Sequence, residues 1–358
     1  MKIGLAGFPL TGKSTLFQLL TGLEPAAHGG RGEAQQGVTR VPDPRLNRLS
    51  EMYSPKKTTP ATVTYLDLAG VEKGQAAKTL PLDALRTVDA LAHVVRGFED
   101  ESIPHSEGPI DPARDVAAME TELILADLIV AERRVEKLDL LVKKTAKEEE
   151  KKELAIFRKV LAHLEEEKPL RNGDWNETEL RLLRGYTFLS LKPLLVVINA
   201  GEDDAQKLHE GAASFNLEAV DAQDRTAVVA MSAKLEAEIA QLDGDDAAVF
   251  MEEMGIREPA LDRMIRASYA LLDRVSFFTV GEDECRAWTI GRDTDARKAA
   301  GVIHSDIERG FIRAELVAYK DLDANGSWSA CRDDGTLRLE GKEYPMQDGD
   351  VVNFRFNV

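Results

Sequence analysis

The residues most able to do chemistry stand near the start of the chain. The run Gly7–Ser14 matches the pattern G-x-x-x-x-G-K-[ST]. Its glycines would let backbone N–H groups face phosphates, and a helix starting there would add its positive dipole end. Lys13 would then reach the β- and γ-phosphates, and the Ser14 hydroxyl would bind Mg²⁺. The predicted nucleotide-contacting residues of this loop are Gly7, Phe8, Pro9, Leu10, Thr11, Gly12, Lys13, Ser14 and Thr15.

A second motif of the same chemistry ends the apolar run Thr62–Leu68. Asp67 would meet Mg²⁺ through water, and Gly70 would let the backbone approach the γ-phosphate, as in the D-x-x-G motif of GTPases. Ras-like enzymes carry a water-orienting Gln directly after that glycine, whereas this chain has Val71. An aliphatic side chain cannot orient water, so hydrolysis must use another group or be slow.

The base-recognition motif departs from the guanine-specific pattern N-K-x-D. The strand Leu194–Ile198 is followed by Asn199-Ala200-Gly201-Glu202, so the Lys is missing and the carboxylate sits one methylene further out. An Asn can pair bidentately with N7 and the N6 amine of adenine, which favours adenine; the alternative is that Asn199 only starts a turn. Ser232-Ala233-Lys234 resembles a loop that closes over the base. The predicted base-contacting residues are Asn199, Glu202, Ser232, Ala233 and Lys234.

The elements that must position these motifs follow from the hydrophobic pattern. Short aliphatic runs alternate with helical segments up to residue 115 and again from 190 to 275, which predicts an α/β domain with a doubly wound, mostly parallel sheet. Between them, residues 116–189 carry heptad-like spacing and predict an inserted coiled-coil hairpin of two helices. The last part, 276–358, mixes strands with one helix and predicts a small α+β domain.

Composition excludes several other classes of protein. The chain has 358 residues, a net charge of −17 and two cysteines, Cys285 and Cys331, which excludes a disulfide scaffold and a four-thiolate zinc site. No apolar run reaches the length of a membrane span, so we expect a cytoplasmic protein without a membrane partner. So acidic a chain would not coat nucleic acid indiscriminately, and any RNA contact must be local.

Positive charge is gathered at the tip of the predicted hairpin. Five lysines lie there, namely Lys143, Lys144, Lys147, Lys151 and Lys152. They are either a phosphate-contacting patch or a solvated face laced with i,i+4 ion pairs. In the C-terminal domain, Arg286 and Trp288 alternate along a predicted strand and would share one face, where they could stack on a base or belong to the core.

Taken together, these residues resemble the YchF family, the Obg-like ATPases of the translation-factor GTPase class. The resemblance covers nearly the whole chain and rests on Asp67-Leu68-Ala69-Gly70 and on the following longer pieces. They are Val41–Leu46, His93–Asp100, Glu122–Leu128, Arg286–Ile290, Ala299–Asp306 and Asp348–Val358.

The resemblance implies a Ras-like nucleotide domain, an inserted helical arm and a C-terminal TGS domain of β-grasp type. It also implies a Mg²⁺-dependent ATPase that prefers ATP over GTP and associates with the ribosome, through the arm and the TGS domain, in translation or stress regulation. In this family a histidine on a loop after the third motif is thought to replace the missing Gln, and His105 sits at the matching place.

The chain departs from the family in two stretches. Leu10 and Thr11 stand where the family usually has Asn and Val, and Ala27–Gly32 replaces the aromatic residues and the Thr of switch I, so that Thr39 is the nearest hydroxyl. Two alternatives to the ATPase therefore stay open: a GTPase of the Obg class with relaxed base choice, and a nucleotide-sensing ribosome- or RNA-binding scaffold with negligible turnover. We expect a monomer.

Overall fold

The computed structural model describes residues 1–24, 34–67, 82–103, 108–145, 147–202, 205–256 and 258–357. The chain divides into two compact units. One combines Met1–Thr39 with Thr64–Ala267, and the other combines Arg40–Val63 with Ser268–Val358. This division differs from the predicted boundaries, which assigned 40–63 to the nucleotide domain and began the C-terminal domain at 276.

The first unit is built on a six-stranded sheet with the order β2-β4-β1-β5-β6-β7. The pairs β1–β4, β1–β5, β5–β6 and β6–β7 are parallel, which confirms the expected α/β class. The strands are β1 Lys2–Ala6, β2 Gln35–Arg40, β4 Thr62–Asp67, β5 Ala90–Gly97, β6 Leu194–Ala200 and β7 Thr226–Met231.

Two adjacent inner strands, β5 and β6, indicate that this sheet is buried on both faces. β6 is buried along its whole length and β5 along all of it but the last residue, Gly97, as expected for parallel strands that read as near-continuous apolar runs. On one face, Leu91, Val95 and Ile198 pack in one cluster with Met119 and Leu123. The helices of this unit are α1 Lys13–Thr21, α3 Leu82–Arg86, α4 Pro112–Thr145, α5 Glu148–Glu165, α6 Glu177–Arg184, α7 Ala205–Glu210, α8 Glu218–Asp221, α9 Ala233–Ile239, α10 Gly244–Glu253 and α11 Ala260–Leu271.

The predicted arm is present as α4 and α5. Their apolar seam includes Leu138, Leu154 and Phe157, all buried, and Arg134 bridges the two helices through Glu153 at 2.6 Å. A capping box between Asn176 and Glu179 starts α6. Among the described residues, no helix combines the length and apolar character that crossing a membrane would require.

A buried carboxylate fixes α4 to the sheet domain. Asp127 is fully buried and accepts hydrogen bonds from the backbone N–H groups of Leu189 and Ser190, at 2.9 and 2.7 Å, and from the Ser190 hydroxyl. Burial raises the pKa of Asp127 to about 6, against the opposing effect of these three donors. The arm is therefore anchored at its base by a polar contact inside the core.

The second unit has its own six-stranded sheet, ordered β11-β10-β12-β8-β9-β3. β10 is antiparallel to β11 and β12, β8 is antiparallel to β9, and β12 is parallel to β8. Its core packs Phe277, Leu316 and Phe354 against Ala299 and Ala300. The elements are β3 Lys57–Thr59, β8 Arg274–Thr279, β9 Glu284–Gly291, β10 Phe311–Ala318, β11 Arg338–Glu340, β12 Asp350–Phe356, α2 Pro44–Tyr53, α12 Ala296–Ile303, α13 Ser305–Arg309, α14 Tyr319–Asn325 and α15 Trp328–Asp333.

The segment Arg40–Val63 enters this second sheet although it precedes it by about two hundred residues. β3 adds an edge strand parallel to β9, and Leu49 of α2 is fully buried. Arg45 forms an ion pair with Asp348 at 2.7 Å and lies over the ring of Phe278 at 5.2 Å. The hydrophobic pattern of 40–63 gave no sign of this partnership, because its partners lie at the other end of the chain.

Trp288 in this unit is half-buried against the core, and its indole N–H donates to Thr279 at 2.9 Å. The guanidinium of Arg286 lies over the Trp288 ring at 3.9 Å. The two side chains do share a face, as predicted, and they stack on each other.

Candidate nucleotide site

The carboxyl ends of β1, β5, β6 and β7 open onto a cavity of about 910 Å³. Ligand sites of open parallel sheets lie at this edge. Thirteen of the predicted site residues line this one cavity. They are Phe8, Pro9, Leu10, Thr11, Gly12, Lys13, Ser14, Thr15, Asn199, Glu202, Ser232, Ala233 and Lys234.

Two glycines give the phosphate loop its shape. A Cβ on Gly7 would lie 2.7 Å from the carbonyl oxygen of Val94, so only glycine lets the loop leave β1 over β5. Gly12 has φ 88° and caps the start of α1, and a Cβ there would lie 2.2 Å from Nδ2 of Asn199. The loop therefore needs glycine for close approach at one end and for backbone conformation at the other.

Leu10 adopts an unfavourable backbone conformation within the same loop. It has φ 65°, in the left-handed region, and its side chain is 57 % exposed. A residue with a Cβ loses roughly 1–2 kcal/mol there, and Asn, the residue usual in the family, tolerates it better than Leu. The sequence difference from the family therefore has a structural consequence at this position.

The two charged residues of the phosphate motifs contact each other. Nζ of Lys13 donates to Oδ1 of Asp67, and both side chains are buried. Asp67 ends β4 and Lys13 begins α1, so the pair joins the first and third motifs at the floor of the loop. The residues expected to meet phosphate and Mg²⁺ therefore lie side by side.

The donors present suit Mg²⁺. Ser14 and Asp67 offer a hydroxyl and a carboxylate, the hard oxygen ligands that Mg²⁺ prefers. Among the described residues there is no cluster of three or more His, Cys, Asp or Glu side chains that could hold a metal alone. This fits a cation held by one or two protein oxygens together with water and substrate phosphates.

Asn199 links the two ends of the cavity. Its Nδ2 donates to the carbonyl of Thr11 at 3.0 Å, and its Oδ1 accepts from the N–H of Ala233 at 3.0 Å. Each atom has a second hydrogen or lone pair, so these bonds leave an edge of the amide for a ligand. The sequence predicted a base contact here but not this brace between loops.

The charged rim on the base side consists of Glu202 and Lys234, whose ion pair spans 2.7 Å. Ser232 caps α9 by accepting from the N–H of Leu235 at 3.4 Å, which holds the start of the loop in place. The carboxylate expected to meet the base is therefore present at the cavity mouth and is paired with the lysine of the closing loop.

A further wall of the cavity was not predicted. Phe98, Glu99, Asp100 and Ile103 line it, all from the stretch that follows β5. The motif quoted for the family included the first three, but no pattern in the sequence indicated that they face a ligand. The sequence feature that could have indicated this wall is Arg96, an arginine in the strand that precedes these residues.

His93 is a buried residue beneath the phosphate loop. It lies opposite Ala6 in the sheet, and its ring meets that of Phe8 edge-on with centroids 6.1 Å apart. Neither ring nitrogen has a hydrogen-bond partner in the described part of the chain, and burial lowers the pKa of His93 to about 3. The imidazole is thus held neutral in the core.

Several predicted positions lie outside the described residues: Gly70, Val71, His105 and the stretch 27–32. Thr39, the nearest hydroxyl to the altered switch I, is buried and donates to the carbonyl of Leu20. It does not line the cavity, so the structure gives Thr39 a role in fixing β2 to the end of α1.

Comparison with known proteins agrees with this architecture. A family model described as a 50S ribosome-binding GTPase matches residues 2–159, and the YchF-GTPase C-terminal model, described as a protein of unknown function, matches 275–357. The chain is 42 % identical to the ribosome-binding ATPase YchF of Bacillus subtilis, over 99 % of each chain. It is 41 % identical to the ribosome-binding ATPase YchF of Haemophilus influenzae, over 100 % of this chain and 99 % of that protein.

A solved structure supports the same conclusion. The YchF GTPase of Schizosaccharomyces pombe superposes with a TM-score of 0.87 at 32 % identity, covering 99 % of this chain and 97 % of that one. Phosphate loop, inserted arm and C-terminal domain are thus shared over the full length. With its phosphate loop, buried Lys13–Asp67 pair and full-length relatives, the chain belongs to the YchF family of P-loop nucleoside triphosphate hydrolases.

Proposed function

We propose that this chain is a Mg²⁺-dependent ATPase that prefers ATP to GTP and works on the ribosome. One observation carries the base preference: the cavity that begins at the phosphate loop ends on Asn199, Glu202 and Lys234, without the lysine and the aspartate of the guanine motif. The preference follows because Asn199 keeps an amide edge toward the cavity, and an Asn amide matches N7 and N6 of adenine.

The residues of the phosphate end divide the work of hydrolysis. Backbone N–H groups of residues 10–15, at the start of α1, would hold the triphosphate, and Lys13 would neutralise charge that develops between the β- and γ-phosphates. Ser14 and Asp67 would hold Mg²⁺, which supplies charge neutralisation at the phosphates when bound. Lys13 must exchange its contact with Asp67 for one with phosphate.

The attacking water needs an orienting group, since Val71 cannot provide one. His105 follows in sequence two residues after Ile103, a described residue of the cavity wall, and a neutral imidazole there would orient the water or accept its proton. The wall and the catalytic group would then belong to one continuous stretch of chain.

Side-by-side calorimetry with ATP and GTP, each with Mg²⁺, tests the base preference. We expect ATP to bind at least several-fold more tightly, since one lost bidentate base contact is worth about 1–3 kcal/mol. Equal or reversed affinities would favour the GTPase alternative. A multiple-turnover phosphate-release assay with the same samples then separates an ATPase from a nucleotide-sensing scaffold, which would bind ATP without releasing phosphate.

Ribosome association is proposed from the names of the relatives and from the arm. The five lysines of the arm tip, Lys143, Lys144, Lys147, Lys151 and Lys152, are all exposed. Lys151 pairs with Glu148 at 2.6 Å, whereas the other four form no ion pair with any described residue. Charges of this kind are available to phosphates. Lys143 and Lys144 lie in the last turn of α4, which is about 50 Å long, and Lys151 and Lys152 lie near the start of α5.

Replacing Lys143, Lys144 and Lys147 by Glu tests this surface. We expect weaker co-sedimentation with ribosomes and a flatter dependence on salt, because each lost phosphate contact removes counterion release. ATP affinity should stay unchanged, since the tip lies far along α4 from the phosphate loop. A variant that sediments like the wild type at every salt concentration would show that these lysines are only a solvated face.

A further inference from the structure

Arg96 is a buried arginine one residue before the end of β5. It is 2 % exposed, and it stands directly opposite Asn199 of β6 in the sheet. Its guanidinium donates to the carbonyl oxygens of Phe98 (3.1 Å) and Ile103 (2.9 Å), with a longer contact to that of Asp100 (3.4 Å). It also lies over the Phe98 ring, 4.5 Å from the centroid.

This cation has no carboxylate partner among the residues that the structure describes. Buried charges are ordinarily paired, and a buried donor without an acceptor costs stability. Here the nitrogen Nη1 is buried and without a partner in the described part of the chain. Burying this arginine therefore lowers the stability of the fold. This cost points to a functional role for the backbone carbonyls that Arg96 binds.

The gathered carbonyls belong to the wall of the nucleotide cavity. Phe98, Asp100 and Ile103 each bond to Arg96 through the backbone, and each lines the cavity. The guanidinium is planar, carries several N–H donors and can stack on an aromatic ring. One arginine can therefore hold three backbone carbonyls and the Phe98 ring in place at the same time. A lysine could not reproduce this arrangement.

The wall also approaches the base-side rim. Asp100 accepts from the Ser102 hydroxyl and N–H, at 2.6 and 2.9 Å, which together lower the pKa of Asp100, with smaller contributions from Arg96 and Lys234. Lys234 pairs with Glu202 on the other side. The stretch that Arg96 shapes thus lies near Lys234, one of the residues predicted to meet the base.

We propose that Arg96 is a positioning residue that fixes residues 98–103 as the base-side wall, so that affinity for the nucleoside part of ATP depends on it and affinity for the triphosphate part does not. This inference rests on the proposed ATP site. It adds a residue that touches no nucleotide and acts through Phe98, Asp100 and Ile103.

Two probes separate the nucleoside part from the phosphate part. ATP and inorganic tripolyphosphate, each with Mg²⁺, are titrated by calorimetry into the full-length wild type, Arg96→Met and Arg96→Lys. For Arg96→Met we expect the Kd for ATP to rise about tenfold, comparable with losing one hydrogen bond to a charged group. The Kd for tripolyphosphate should change less than twofold. Arg96→Lys keeps the buried charge and should give an intermediate rise for ATP.

Arg134→Met is the matched control, because Arg134 also lies over an aromatic ring, that of Tyr186 at 5.6 Å, but sits in the arm. It should leave both Kd values unchanged. If Arg96→Met weakens both ligands equally, Arg96 merely supports the fold and the inference is wrong. If Arg96→Met unfolds, Arg96→Lys decides, since wild-type ATP affinity in that variant also overturns the inference. A wild type that binds tripolyphosphate but not ATP would instead overturn the proposed function.

Discussion

The two ends of the nucleotide cavity are built in different ways. The phosphate end is one continuous stretch, Gly7–Thr15, whose shape comes from glycines at positions that exclude a Cβ and whose charge comes from Lys13 beside Asp67. The proposed base end is assembled from the carboxyl ends of β5, β6 and β7. Its wall is shaped by Arg96, which binds backbone carbonyls, and Asn199 joins this end to the phosphate loop through its bonds to Thr11 and Ala233.

This difference determines at which end of the cavity a substitution should be tolerated. At the phosphate end, a Cβ on Gly7 would lie 2.7 Å from a backbone carbonyl oxygen and one on Gly12 would lie 2.2 Å from the Asn199 amide, while a change at Lys13 removes the central charge. At the proposed base end, the wall is shaped by side-chain contacts to the backbone, so we expect substitutions there to be tolerated better. We therefore expect large and ligand-independent losses at one end, and smaller, base-dependent losses at the other.

The largest effect is expected for Lys13→Ala. Tight binding of ATP should be lost, by 100-fold or more, because a cation contacting phosphate is worth about 2–5 kcal/mol. The change also leaves the buried Asp67 carboxylate without this cation, so the free energy of unfolding should fall by about 3 kcal/mol. Calorimetry and denaturant unfolding measure the two effects. Lys192→Ala, a half-buried lysine bonded to the carbonyls of Arg86 and Val88, is the control. Normal ATP binding by Lys13→Ala would refute the phosphate-loop assignment.

His105→Ala should separate catalysis from both ends of the cavity. We expect turnover to fall by about 10²-fold while ATP affinity stays nearly unchanged, since the group acts on water and not on the nucleotide. Phosphate release under multiple turnover gives the rate, and His304→Ala, an exposed histidine of the second unit, provides the comparison. Intact turnover would mean that another residue or a bound partner supplies the group.

Asn199→Ala tests the joint between the two ends. The N–H of Ala233 and the carbonyl of Thr11 would both lose a buried partner, so we expect about 2–3 kcal/mol less unfolding free energy. Affinity should fall for ATP and also for inorganic tripolyphosphate, in contrast to Arg96→Met, because the brace holds the phosphate loop itself. Asn199→Asp keeps the acceptor for Ala233 and should lose less stability than Asn199→Ala. A loss confined to ATP would place Asn199 with the base end alone.

His93 predicts a pH dependence of stability at the floor of the phosphate loop. Its folded-state pKa of about 3 lies below the ordinary value of 6.5, so the native state binds fewer protons than the unfolded state between these two values. The stability that it contributes is complete above pH 6.5 and is lost as the pH falls toward 3. Relative to His93→Leu, the wild type should lose about 1–2 kcal/mol between pH 6.5 and 5. Parallel pH profiles in denaturant unfolding would exclude this effect, and the exposed His304→Ala should follow the wild type.

Sequence reasoning succeeded where the chemistry is local. The phosphate loop and the strand-ending Asp67 each depend on residues within a few positions of one another. Sequence reasoning missed the role of Arg96, because the residues next to an arginine in a strand do not indicate which backbone carbonyls its side chain will bind. Sequence reasoning predicted that Asn199 contacts the base, but it did not predict the hydrogen bonds from Asn199 to Thr11 and Ala233. These two residues come close to Asn199 only when the parallel sheet forms.

The placement of Arg40–Val63 in the second sheet has a consequence for synthesis. This segment leaves the ribosome early, yet its partners β9 and Asp348 follow more than about 200 residues later. At the usual elongation rate of about 5–20 residues per second, α2 and β3 must wait roughly 10–40 s before their sheet exists. During that interval Leu49 and the edge of β3 have no native cover, so the nascent chain carries a helix with exposed leucines between β2 and β4. A chain cut before residue 268 would carry that exposure permanently.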